Sequence, residues 1–389
     1  MQAKTRPQAA LATLVGLTAI ATLVLTGVVA SSGAEAASKL SCGDTITTDT
    51  TLHHNLTNCP NNGIIIGADN VTLDLNYHTI DGNGKPAGGC DPQTDFCDVG
   101  VVNFGHDGVT VIHGSLRQFG GGVDFGNARH TRLLGISASR NADVGIQFFS
   151  SSRMLVRNCS GNRTTSREGA GIGVFDSRRI RILNSSFRHN AHVGIKPVGA
   201  ASGVIKGNVV THSGDEGLLM EGGKGFQVRH NRLARNDAGI TFGPGSHNVI
   251  AHNRVFKGRD GIRIEKGHDN LVADNVVSHA RRAGIRLGIP HPFVGGAHNT
   301  VRGNLVKGSR DDGFLVNAKD DHSLLRHNTA RGAGDDGFDI QSRTAKLTGN
   351  QARRNGDLGI AAVRGVIDGG GNRASGNGDP RQCTNIVCN

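Results

Sequence analysis

Five aspartates fall in two short segments 24 residues apart: Asp311 and Asp312 before Gly313, and Asp335, Asp336 and Asp339 around Gly337. If the two segments lie on adjacent turns of a repeat, the carboxylates stand within about 5–8 Å of one another and repel strongly. Two resolutions are open. One is a bound cation, for which calcium is the natural choice because it takes roughly 6–8 hard oxygen ligands. The other is a solvated acidic edge. Near these segments stand basic residues able to clamp an anionic substrate or take a proton: Arg263, Arg286 and Lys319. Arginine holds its proton tenaciously, so the two arginines suit a carboxylate clamp better than a base. Glu265, Asn317, Gln341 and His291 are the polar residues expected to touch substrate.

What must position these residues is a repeat. A glycine followed by alternating apolar residues begins at Gly145, Gly171, Gly194, Gly217, Gly239, Gly261, Gly284, Gly313, Gly337 and Gly359, with most spacings 22 or 23 residues. Several short β-rich runs per unit, divided by Gly, Asn and Asp, match one coil of a parallel β-helix. Coils stack strand on strand because none can bury its apolar face alone. An asparagine column (Asn158, Asn184, Asn208, Asn231, Asn253, Asn275, Asn304, Asn328, Asn350, Asn372) is expected to satisfy turn backbone rather than bind ligands. Alternation along each strand sends the two apolar residues inward and the residue between them outward. The outward column therefore reads Lys196, Leu219, Thr241, Arg263, Arg286, Leu315, Asp339. Acidic residues just before the glycine on most coils, among them Asp215, Glu216, Asp237, Asp260 and Asp357, read as turn chemistry.

The chain has 389 residues, 58 glycines, one tyrosine and no tryptophan, with formal charge +11. A basic surface favours anionic polysaccharide or cell-wall glycan, and the lack of stacking aromatics argues against nucleic acid. Lys4, Arg6, the apolar run to about Ala30 and the Ala34-Glu35-Ala36 motif read as a signal peptide over residues 1–37. That reading predicts a secreted protein, with an uncleaved membrane anchor as the alternative. No later segment is expected to span a membrane, and a monomer is expected. Export permits disulfides, and the cysteines pair by proximity as Cys42 with Cys59, Cys90 with Cys97 and Cys383 with Cys388, leaving Cys159 as a buried thiol. The expected organisation is a stapled cap over 38–60, the solenoid over 61–376 and a second stapled cap over 377–389. An insertion from Gly288 to Asn299, with His291 and Phe293 at its tip, is expected as a groove wall. Three methionines give no support to a copper-chaperone role.

On these repeats the chain resembles the right-handed parallel β-helix proteins of the pectin-lyase-like superfamily. The resemblance and the usual hand of parallel crossovers imply an all-β fold, a single-stranded right-handed parallel β-helix of about 22–23 residues per coil. Gly334-Asp335-Asp336-Gly337-Phe338-Asp339-Ile340 is similar to the calcium-binding segment of the family-nine polysaccharide lyases. That similarity implies Asp335, Asp336 and Asp339, with Asp311 from the preceding coil, as metal ligands. It also implies β-elimination on a uronate-containing polysaccharide, with a lysine as base. Here the chain departs from the family, since no lysine stands out on the coils after Asp339: Lys346 belongs to a different strand, and Arg364 is two positions off the column. The competing expectation is a non-catalytic glycan-binding β-helix.

Overall fold

The computed structural model describes residues 39–86, 88, 97–289 and 295–389. The expected signal peptide, Cys90 and the loop tip with His291 and Phe293 lie outside them. One wall is a fully parallel sheet of fifteen strands, from Asp44–Ile46 through Ala238–Phe242, Asp260–Ile264, Ile285–Leu287, Phe314–Val316 and Phe338–Ile340 to Cys383–Thr384. Each coil adds one strand here and two to the remaining walls. There, long strands such as Thr110–Arg117 and Arg132–Ser139 span both positions in a coil. The strands Asp44–Ile46, Thr50–Thr51 and Leu56–Cys59 already pair with those of the next coil. No helix among the described residues is long and apolar enough to cross a membrane.

The inward column forms one continuous core, including Phe125, Phe148, Phe187, Phe226, Phe242, Phe314 and Phe338. Burying each such side chain stabilises the fold by about 1.5–3 kcal/mol. Phe314 and Phe338 stack on successive coils with ring centroids 4.6 Å apart. The repeat glycine serves close approach rather than an unusual φ. A Cβ on Gly337 would lie 2.5 Å from the Gly359 carbonyl oxygen, and one on Gly261 2.4 Å from that of Gly284.

The asparagine column is a hydrogen-bonded ladder from Asn208 to Asn372. Asn253, for example, receives the backbone amide of Asn231 at 3.0 Å and donates its side-chain amide to the Val228 carbonyl at 2.9 Å. The first two expected members are one residue out of place. Asn158 and Asn184 occupy left-handed turn positions with φ of 55° and 50°, and the ladder positions belong to Cys159 and Ser185. The Cys159 thiol bonds the Leu133 and Arg157 carbonyls at 3.3 Å, and burial pushes it up to about 11, so it is a structural thiol. His230, His252 and His327 occupy the same left-handed position as Asn158 and Asn184, one residue before the ladder. Disulfides join Cys42 to Cys59 and Cys383 to Cys388. Cys97 is disulfide-bonded too.

Candidate functional site

Two polar clusters lie on the fifteen-stranded wall, one buried and one acidic. Register places Thr241, Arg263, Arg286, Leu315, Asp339 and Ala361 side by side on successive strands. The outward column is therefore as alternation predicts. Its arginines do not reach solvent, however: Arg263 is 9% exposed and Arg286 4%. Their guanidinium groups fold back along the sheet instead of projecting into an open groove. Arg263 reaches across two coils to Glu216, Nη2 to Oε1 at 2.9 Å, and holds Glu265 from Nε at 3.0 Å. Asp260 sits between the two arginines, 3.7 Å from Arg263 and 3.5 Å from Arg286. Ala238 is the register partner of both Glu216 and Asp260 on the strand between theirs.

This network is costly to build. Asp260 has no exposed side-chain surface, and neither of its oxygens has a hydrogen-bond partner, so the ion pairs alone offset its desolvation. Glu216 is raised above the usual carboxylate range, by burial first and by the charge of Asp215, with Arg263 opposing. Burial also pulls the Arg286 guanidinium below the usual arginine value. Asp260 opposes that shift, and Arg263 on the adjacent strand adds to it.

The acidic cluster begins two coils further on. Asp312 Oδ1 accepts the Asp336 amide at 3.3 Å, and Asp336 Oδ1 accepts the Leu358 amide at 2.8 Å, so each spends one oxygen on the next strand's start. Asp339 accepts Gln341 Nε2 at 2.7 Å. Burial raises Asp312 to about 7, helped by the charges of Asp339 and Asp335. Asp336 rises to about 6, mainly through burial, and Asp339 is raised for the same reason. These shifts mark carboxyls raised first by burial and then by one another's charge.

Among the described residues, two groups bring three ligand atoms within 4.8 Å of one another: Asp335, Asp336 and Asp357, and separately His192, Asp215 and Glu216. The first is an all-oxygen set, the donor chemistry a hard cation requires. The second, one imidazole with two carboxylates and no sulfur, does not suit a soft cuprous ion. Asp311 lies outside both groups. Its backbone carbonyl accepts the Asp335 amide at 3.3 Å.

The remaining expected residues are dispersed. Asn317 is buried and donates to the Leu287 and Gly288 carbonyls at 2.9 and 3.1 Å, holding the chain as it leaves a strand. Lys319 is exposed on the following turn, and Gln341 is exposed beside Asp339. Glu216, Asp260 and Asp357 were legible only as turn residues. The available signal was that Glu216 and Asp260, like Asp312 and Asp336, directly precede a repeat glycine.

Comparison with known proteins bears on the fold. Residues 170–330 match the family model for a right handed beta helix region, and residues 93–242 that for a periplasmic copper-binding protein (NosD). No curated protein matches the chain. A mutant of the periplasmic alginate epimerase AlgG is 12% identical, with TM-score 0.50 over 77% of each chain. The parent AlgG structure is 13% identical, with TM-score 0.49, covering 79% of this chain and 77% of that one. The catalytic unit of a GH87 alpha-1,3-glucanase from Streptomyces thermodiastaticus is 14% identical at TM-score 0.42, covering 87% of this chain and 62% of that one. At such identities the likeness concerns the backbone alone. With fifteen parallel strands in register on one wall and a matching family model over the central coils, the chain is a right-handed parallel β-helix protein.

Proposed function

We propose that this is an exported protein acting on an anionic, uronate-containing polysaccharide at the acidic end of the fifteen-stranded wall, by removal of the proton beside the uronate carboxylate. The observation that carries the reading is the placement of two partly exposed carboxyls, Asp312 and Asp339, on adjacent coils of the wall, with burial raising both and Asp312 to about 7. A group with that value is half ionised near neutral pH and suits general acid–base work. It takes the role first sought in Arg263, Arg286 and Lys319. The two arginines are instead positioning residues that fix the floor of the wall through Glu216 and Asp260.

In the elimination, a carboxylate of the Asp312 and Asp339 pair takes the C5 proton. The electron pair forms the C4–C5 double bond, the C4–O bond breaks, and the leaving oxygen takes a proton from solvent, to which the carboxyl later returns the one it accepted. Asp335, Asp336 and Asp357 would hold a calcium ion, with Asp311, Asp312 and Asp339 around them. When bound, such an ion would neutralise the uronate carboxylate and acidify the neighbouring proton. The disulfides and the basic charge of +11 support export and an anionic partner.

The test is absorbance from the unsaturated product on polygalacturonate, alginate and glycosaminoglycans, with and without calcium. Turnover lost in Asp312→Asn and Asp339→Asn is expected, and no absorbance rise on any substrate refutes a lyase. A second reading, glycan binding without turnover, is favoured by one observation: both arginines are committed to internal ion pairs. It predicts binding that survives Asp312→Asn.

A further inference from the structure

The corner that leads into the fifteen-stranded wall carries one left-handed residue per coil. In seven successive coils that residue is basic: Arg140, Arg163, His189, His212, Arg235, Lys257 and His279, with φ between 53° and 58°. Strand register stacks them one above another, because Ser139, Asn162, Arg188, Thr211, Ala234, Phe256 and Ser278, each one residue earlier, are paired in turn. The next two coils put Gly308 and Gly332 there, at φ of 60° and 65°. Glycine adopts this conformation without penalty, whereas side-chain-bearing residues pay for it. Seven such residues in a row therefore run against backbone preference, and the four of them with a fixed charge, Arg140, Arg163, Arg235 and Lys257, against one another's charge as well.

The rings and charges do crowd. His189 and His212 stack with centroids 4.6 Å apart. His212 is held below the usual histidine value by partial desolvation and by the positive charges of His189, Arg235 and Arg188. Around Arg235, Lys257 and His279 the corner opens into a groove of about 530 Å³, which Asn236, Asp237 and Arg281 also line. Asp237 is bound to Arg281 at 2.8 Å and to Arg259 at 3.5 Å. Among the described residues, neither Arg235 nor Lys257 has a carboxylate within salt-bridge distance.

We infer that this basic ribbon is a docking track for a linear anionic polysaccharide lying along the solenoid axis. At about 4.8 Å per coil the ribbon is about 30 Å long, with fixed positive charges at Arg140 and Arg163 toward one end and at Arg235 and Lys257 toward the other, and histidines between and beyond them. The run is interrupted at Gly308 and Gly332 and resumes at Arg354, and carboxylates flank it on the same corner at Asp143, Asp215, Asp237 and Asp260. The large exposed apolar side chains (Tyr77, Phe104, Val276, Ile367 and Val387) line no part of the groove. The groove thus has no exposed apolar wedge for a membrane, and its neighbouring aromatic, Phe256, is engaged by His279 at 5.4 Å between ring centroids and by Lys257 at 5.2 Å. Binding on the ribbon does not rest on catalysis at the acidic end.

The experiment compares the full chain with the double variant Arg235→Gly/Lys257→Gly, using labelled polygalacturonate and a DNA duplex as probes over a salt series. Glycine suits both φ values and stands natively at Gly308 and Gly332, so the variant is expected to fold with an unchanged or higher melting temperature. Polygalacturonate should bind it roughly tenfold more weakly, with a shallower salt dependence. A control that removes equal charge elsewhere, Arg132→Gln/Arg326→Gln, should bind like the parent. Unchanged affinity in the ribbon variant, or an equal loss in the control, overturns the track. DNA binding as tight as polygalacturonate, and equally weakened in the ribbon variant, overturns the polysaccharide assignment.

Discussion

Asp312→Asn should make the protein more stable at pH 8 and leave it unchanged at pH 4. The reasoning starts from a carboxyl lifted from 3.8 to about 7. A raised value means that the folded state favours the proton. The associated stability is whole below about pH 4 and is lost as pH rises through about 7. In a dry site the shift would be worth about 4 kcal/mol. Asp312 is partly solvated, and screening leaves about 1–2 kcal/mol. With about 2.1 cal/mol/K of unfolding entropy per residue over some 350 residues, that amounts to about 2 °C in melting temperature. Asparagine keeps the oxygen that accepts the Asp336 amide at 3.3 Å, so the substitution removes charge and little else. The assay is thermal unfolding of parent and variant in calcium-free buffer from pH 4 to pH 8. The curves should coincide at the acid end and separate up to about pH 7. A variant less stable than the parent across the whole range, or a constant offset, would refute the reasoning.

Three further outcomes follow from the same geometry. Arg263→Met leaves Glu216 and Asp260 buried beside a neutral side chain and should cost about 3–5 kcal/mol in urea unfolding, which Arg263→Lys does not restore. Calcium should raise the melting temperature of the parent by mass action, and Asp335→Asn, Asp336→Asn or Asp357→Asn should each reduce that rise. Asn253→Ala removes a side chain that serves both neighbouring coils and should cost about 1–3 kcal/mol, whereas Asn253→Ser, imitating Ser185, should cost less.

The coil, its period and its inward and outward columns were legible because each repeat must bury the same face against its neighbour. Two features were not. The ladder begins with Cys159 and Ser185 because a thiol and a hydroxyl can accept the same backbone amide as an asparagine oxygen. Sequence matching on asparagine alone picked Asn158 and Asn184, which fill the left-handed turn beside it. The buried ion network was hidden for a different reason. Alternation gives the direction in which Arg263 leaves its strand, but not that it bends back to a glutamate 47 residues earlier. The five aspartates were visible as a group. Sequence could not tell that Asp312 and Asp336 each lend an oxygen to a strand start, or that Asp357 is the carboxylate that closes on Asp335 and Asp336.

The central claim is proton transfer at the uronate by the Asp312 and Asp339 pair. Its most direct measurement is hydrogen–deuterium exchange at C5 of polygalacturonate and alginate in deuterated buffer, followed by NMR. Deuterium incorporation or unsaturated product with the parent, lost in Asp312→Asn and Asp339→Asn while glycan binding persists, is the predicted result. Bound glycan whose C5 protons neither exchange nor eliminate would contradict it.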